Sequence, residues 1–131
     1  MSVSCILIPF QPDKWETTES DLKIDPSVLE DALLHTWPET TIYPKDASTS
    51  ELLLWSFNHK GGPGRLMSLL GDNQIVSLGI DVYLFEFVKW YRSFIPSQHP
   101  IFLSCSCYHE SYYIQIFENT TELDLEEYYS K

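Results

Sequence analysis

Apolar and polar positions change their period several times along the chain, and each change marks an element. Val3 to Pro9 reads Val-Ser-Cys-Ile-Leu-Ile-Pro, a short apolar run that predicts a strand buried on both faces inside a sheet. The polar stretch from Gln11 to Ile24 predicts a long connection carrying a short strand near Leu22 to Ile24. Asp25-Pro26 is a helix start, because aspartate accepts from the free amides of the first turn and proline needs no donor there. Val28, Leu29, Ala32, Leu33 and Thr36 follow at helical spacing and predict a helix from Pro26 to Thr36. Trp37-Pro38 closes it, since the residue before a proline is pushed out of the helical region.

The period then shortens to two. Thr40 to Tyr43 and Glu51 to Phe57 predict a hairpin with its turn at Lys45 to Ser50. After the loop Asn58 to Gly64, Arg65 to Leu70 and Gln74 to Ile80 predict a second hairpin around Gly71-Asp72-Asn73. Asp81 is placed to cap a helix from Val82 to Phe94, which Ile95-Pro96 ends. Ile101 to Cys107 and Tyr112 to Phe117 predict two more antiparallel strands joined around Tyr108 to Ser111. Thr121 to Tyr129 predicts a short acidic helix with Thr121 as its cap and Asp124 three residues on. Runs of hairpins interrupted by helices define an α+β fold: a single, mostly antiparallel sheet, two main helices packed on one face and a short C-terminal helix. That order disfavours a nucleotide-binding parallel sheet. A chain of 131 residues makes one domain.

The second helix is apolar over an unusually wide arc. Leu84, Phe85, Val88, Tyr91 and Ile95 form a core face, and Tyr83, Phe87, Trp90 and Phe94 form a second flank. Burial on two sides is the expected outcome, and an aromatic patch offered to a partner, with Trp90 as its anchor, is the alternative.

Charge narrows the function. The chain carries a formal charge of -11, which opposes attraction to nucleic-acid phosphates or to an anionic membrane. Residues 13 to 31 hold a net -5, residues 110 to 131 another -5, and the stretch between them only -1. Two acidic stretches are suited to steering a basic protein partner, and Glu16, Glu19 and Asp21 together with Glu122, Asp124, Glu126 and Glu127 are the candidate contacts. The opening apolar stretch lacks a basic flank and a cleavage site, and no run approaches the roughly 20 residues that cross a bilayer, so a cytoplasmic protein is expected. Its cysteines, Cys5, Cys105 and Cys107, are then expected to be free thiols.

Candidate chemistry is sparse. Cys105, Cys107 and His109 alternate and would share one face of a strand, as zinc ligands do, but a fourth ligand is missing and turn-folded pairs, not C-x-C, hold structural zinc. Cys107, His109 and Glu110 contain the groups of a nucleophile, base and orienter without the spacing that would assemble them. His59-Lys60-Gly61-Gly62-Pro63-Gly64-Arg65 has glycines and cations but not the ending or the strand-loop-helix context of a phosphate cradle. His35 complements the dipole at the end of the first helix. No metal, no cofactor and no catalytic residue are expected.

Phe87 to Ser97, a helix end running through Ile95-Pro96, and Ile6-Leu7-Ile8-Pro9-Phe10 with Trp15 resemble segments of small uncharacterised bacterial proteins. In size, acidity and α+β character the chain is similar to immunity proteins, single domains that bind and block a bacterial toxin. That resemblance implies a toxin partner and brings no site residues. The leading expectation is therefore a non-enzymatic, immunity-like or regulatory binding domain that meets a basic protein. The alternatives are a small-ligand or enzymatic domain with a pocket lined by Cys105, Cys107 and His109, and an acidic nucleic-acid mimic.

Overall fold

The computed structural model describes residues 4–10, 22–44, 51–57, 65–71, 74–80, 85–105 and 113–129. Its elements in chain order are β1 (Ser4–Ile8), α1 (Pro26–Thr36), β2 (Thr41–Tyr43), β3 (Glu51–Phe57), β4 (Arg65–Leu70), β5 (Ile75–Ile80), α2 (Phe85–Phe94), β6 (Ile101–Cys105), β7 (Ile114–Ile116) and α3 (Glu122–Tyr129). Among the described residues seven strands lie in one sheet in the order β2-β3-β4-β5-β1-β6-β7, and every neighbouring pair is antiparallel. The α+β architecture predicted from hydrophobic period is the one observed.

The sheet grows in two ways. From β2 to β5 each strand pairs with the next in sequence, as hairpins dictate. β1 then inserts between β5 and β6, so the first strand of the chain occupies the interior of the sheet. Its unalternated apolar sequence follows from that position. Cys5 and Leu7 enter the main core, while Ile8 and Phe10 join Ile75 in a smaller cluster.

Alternation along the other strands builds the same division. Leu53, Trp55 and Phe57 of β3, Met67 and Leu69 of β4, Val76 and Leu78 of β5, and Ile101, Leu103 and Cys105 of β6 point into one cluster. Leu29 and Leu33 of α1, Phe87, Val88 and Tyr91 of α2, and Leu125 and Tyr128 of α3 belong to that cluster too. Its centre is aromatic. Phe87 lies 5.6 Å from Phe57 and 6.2 Å from Trp55, ring centre to ring centre, and Trp37 meets Phe57 edge-on at 4.7 Å.

Local chemistry sets the helix ends. The Asp25 carboxylate accepts from the Ser27 amide at 2.9 Å and from its hydroxyl at 2.8 Å, with Pro26 in the first turn, as the sequence predicts. At the other end the Trp37 amide donates to Leu33 O at 2.7 Å. α2 is closed by its own arginine: Arg92 Nη2 donates to the carbonyls of Ile95 at 3.2 Å and Pro96 at 3.0 Å. α3 begins with a reciprocal capping box. The Asp124 amide donates to Thr121 Oγ1 at 3.1 Å, and the Thr121 amide donates to Asp124 Oδ2 at 2.9 Å.

Four expectations change. Leu22 to Ile24 is not a strand: the Ile24 amide donates to Gln74 Oε1 at 2.7 Å, so a side chain supplies what a neighbouring strand would have. Gln74 itself has φ 55° and sits in the turn before β5, donating through Nε2 to Gly71 O at 3.1 Å. Val28 is 54% exposed, because the buried stripe of α1 is the pair Leu29 and Leu33. In α2 the expected core face is buried at Val88, Tyr91 and Ile95 and Phe87 of the second flank is buried with it, but Phe85 is only half-buried. The Asp81 cap, the hairpin turns at 45–50 and 72–73, the loop 58–64 and the junction 106–112 lie outside the described residues.

Candidate functional site

α3 presents two unlike faces. Leu125 and Tyr128, three residues apart, turn inward at 0% and 5% exposure. Glu122, Leu123, Glu126 and Glu127 are exposed, and Leu123 stands 61% open among the carboxylates. The turn that enters the helix continues this surface. Phe117 is 53% exposed and Glu118 and Asn119 are exposed beside it. Thr120 holds the turn shut, its hydroxyl accepting from the Phe117 amide at 2.7 Å and its own amide donating to Phe117 O at 3.1 Å. Lys89 of α2 donates to the Glu118 carbonyl and ties the turn to the helix behind it.

The four acidic residues singled out on α3 are therefore all present on its surface, but they do different work. Asp124 spends its carboxylate on the capping box. Glu122, Glu126 and Glu127 carry the outward charge. Asp124 and Glu127 also line a groove of about 460 Å³ between α3 and β7, with Tyr113 and Phe117 on its other wall. Among the described residues β7 is the last strand of the sheet, so this groove follows a sheet edge. A second groove of about 640 Å³ runs between the end of α2 and the same turn and is lined by Arg92, Gln98, Gln115 and Glu118. Burial lowers the pKa of the Arg92 guanidinium while the charge of Glu118 opposes the shift.

Trp90 is placed elsewhere. It is half-buried in the seam between α1 and α2, where its indole N–H donates to Thr36 Oγ1 at 3.0 Å and its ring lies 5.1 Å from Trp37 and 5.3 Å from Phe94. Next to it the Tyr91 phenol is buried without a partner among the described residues, and burial pushes its pKa far above the usual value. Glu16, Glu19 and Asp21 lie outside the described residues.

The cysteines depart from expectation. Cys5 and Cys105 are directly opposite in the β1–β6 register and are joined as a disulfide, with their Cα atoms 4.1 Å apart. The backbone explains why they meet. The Cys105 amide donates to the Tyr128 hydroxyl at 3.2 Å, and the short Cα separation is that of a non-hydrogen-bonded pair, the closer of the two antiparallel pair types. Cys105 is thus committed to Cys5, which removes one donor from the Cys105, Cys107 and His109 set; Cys107, His109 and Glu110 lie outside the described residues. Among the described residues no group of three or more metal-ligating side chains converges.

Sequence reasoning missed Phe117 and Leu123, whose exposure depends on where the turn and α3 dock. A signal was present for Leu123: with Leu125 and Tyr128 as the inward pair, a leucine two positions earlier falls on the opposite side of a helix. No helix is long and apolar enough to cross a membrane among the described residues. No family model, no curated protein and no solved structure matches the chain.

Proposed function

We propose that this chain is a non-enzymatic, cytoplasmic protein-binding domain that offers the outward face of α3 and the turn before it to a basic protein. The observation that carries the reading is the pairing of exposed apolar side chains with acid: Leu123 and Phe117 stand open beside Glu118, Glu122, Glu126 and Glu127. An apolar side chain that water surrounds in the free protein gains roughly 1.5–3 kcal/mol on full burial, while the carboxylates around it bring a cationic partner in and reject an anionic one. Glu16, Glu19 and Asp21 form the second acidic contact in this reading. The similarity to immunity proteins makes a basic toxin the first partner to try.

The test is capture of a partner from native lysate at low and moderate salt, followed by binding kinetics with the purified pair. Glu122→Gln, Glu126→Gln and Glu127→Gln together are expected to slow association about tenfold and to flatten its salt dependence. Leu123→Ala is expected to speed dissociation. Asp124 is left intact, so that the helix cap is kept. Affinity unchanged in both variants would overturn the reading.

A further inference from the structure

The disulfide and the proposed contact helix are mechanically joined. Cys105 carries the disulfide on its side chain and the Tyr128 hydroxyl on its backbone amide, so one residue links β1 to α3 through β6. Tyr128 is 5% exposed and lies on the inward side of α3, opposite the face made by Glu122, Leu123, Glu126 and Glu127. We infer that the Cys5–Cys105 pair is a redox switch that sets how firmly α3 is held against the sheet, and with it the affinity of the acidic face for its partner. The inference rests on the functional reading above for its consequence and its compartment, and on the geometry for the coupling of the pair to α3.

Three features support a switch in place of a passive staple. First, the pair joins two strands that are neighbours in the sheet, and one of its cysteines also carries the hydrogen bond to α3, so a change at the pair reaches α3 directly. Both side chains are buried in the folded state, at 0% and 1%, so a reductant reaches the pair through local opening of the β1–β6 pairing, short of global unfolding. Second, two thiols require van der Waals separation where a bonded pair does not. Cys5 and Cys105 belong to the same close-packed core as Leu7, Leu103, Leu125 and Tyr128, which leaves the added separation to be taken up by a shift of β6 or a turn of the cysteine side chains. Third, disulfides in a reducing compartment are transient and sensing more often than structural, and the proposed location is cytoplasmic.

The chemistry is thiol–disulfide exchange with a dithiol protein reductant. One reductant thiolate attacks a sulfur of the pair and forms a mixed disulfide. The second reductant thiol then displaces the remaining bond, leaving Cys5 and Cys105 as two thiols and the reductant as a disulfide, with two electrons and two protons transferred. A thiol oxidant of the disulfide class reverses the step.

The test begins with the full chain, prepared under acid quench and alkylated before and after reduction. The oxidised form is expected to show one free thiol and the reduced form three. Hydrogen exchange of the two forms is then compared at neutral pH. Reduction is expected to raise exchange at the Cys105 amide and throughout 122–129 at least tenfold, with little change in β3 and β4. In Tyr128→Phe, which lacks the hydroxyl, oxidised protein is expected to exchange at Cys105 as the reduced wild type does. Equal exchange in α3 for the two redox forms of the wild type would overturn the inference, as would three free thiols that no disulfide oxidant can pair. Partner affinity, measured separately, tells the two proposals apart: an α3 that loosens on reduction while affinity stays constant refutes the contact face and leaves the mechanical coupling standing.

Discussion

The two sides of the sheet are held by different means. From β2 to β5 each strand answers its neighbour in sequence, and the aromatic cluster of Trp37, Trp55, Phe57, Phe87 and Trp90 covers the region. On the other side β1 pairs with β5 and with β6 across most of the chain, and Cys5 and Cys105 are 100 residues apart. The meander therefore rests on local pairing and dense ring packing. The β1–β6–β7 flank rests on long-range contacts, one cross-link and a tyrosine hydroxyl, and it carries the exposed acidic helix. Contacts between distant residues form only after a large loop has closed, so once the cross-link is reduced this flank is expected to open first.

Phe87→Ala should have the largest effect. Phe87 is fully buried and its ring approaches Trp37, Trp55, Phe57, Trp90 and Tyr91, so truncation leaves a cavity between α2 and β3 and costs about 3–5 kcal/mol. Trp37, Trp55 and Trp90 surround that site, and urea unfolding followed by tryptophan fluorescence should register the loss directly. If stability falls by less than about 1 kcal/mol, the aromatic cluster is not what secures the meander side.

Removing the cross-link should cost less and act elsewhere. Cys5→Ser with Cys105→Ser is expected to lower stability by about 2–4 kcal/mol, chiefly because the unfolded chain regains the freedom of a 100-residue loop. Hydrogen exchange should rise in β1, β6 and α3 well before it rises in β3 and β4. Uniform loss of protection across both sides would mean that the sheet opens as one unit and would erase the contrast between them.

The same contrast governs what could be read in advance. The hairpins β2–β3 and β4–β5, the Asp25 cap, the end of α1 at Trp37 and the Thr121–Asp124 box are visible in sequence because each depends on residues a few positions apart. Even the burial of β1, with Cys5, Leu7 and Ile8 buried and Ile6 half-buried, is written in its unalternated Ser-Cys-Ile-Leu-Ile. What escaped is whatever depends on register between distant segments. That Cys5 lies opposite Cys105, that Gln74 satisfies the Ile24 amide, and that Phe117 and Leu123 remain open all follow from docking, which no local period encodes. The candidate acids of α3 were legible as charge, but the separate role of Asp124 became clear only from its hydrogen bonds.

Thr121→Ala should be milder and confined to α3. It removes the hydroxyl that accepts from the Asp124 amide and leaves Leu125 and Tyr128 in place, which predicts a loss of about 1 kcal/mol of helix stability. Exchange across 122–129 should rise while the meander is unaffected, and Thr121→Ser should restore most of the protection. A loss spread into β3 would show that α3 supports both sides of the sheet equally.

The smallest effect belongs to the helix cap on the meander side. Hydrogen bonds from Ser27, first from its hydroxyl and then from its amide, hold the Asp25 carboxylate below the ordinary carboxylate pKa. A group with a depressed folded pKa stabilises the native state in full above its unfolded value, near pH 4, and loses that contribution as pH falls through the lower folded value. Asp25→Asn keeps the capping oxygen and has no charge to lose. The difference in thermal midpoint between wild type and Asp25→Asn should thus be constant from pH 7 to pH 5 and shift against the wild type from about pH 4 downward. Because Asp25 is exposed, the shift should be small and should shrink further in high salt. Parallel curves throughout the acid range would assign the cap to geometry alone and show that the charge at this end of α1 contributes nothing to the meander side.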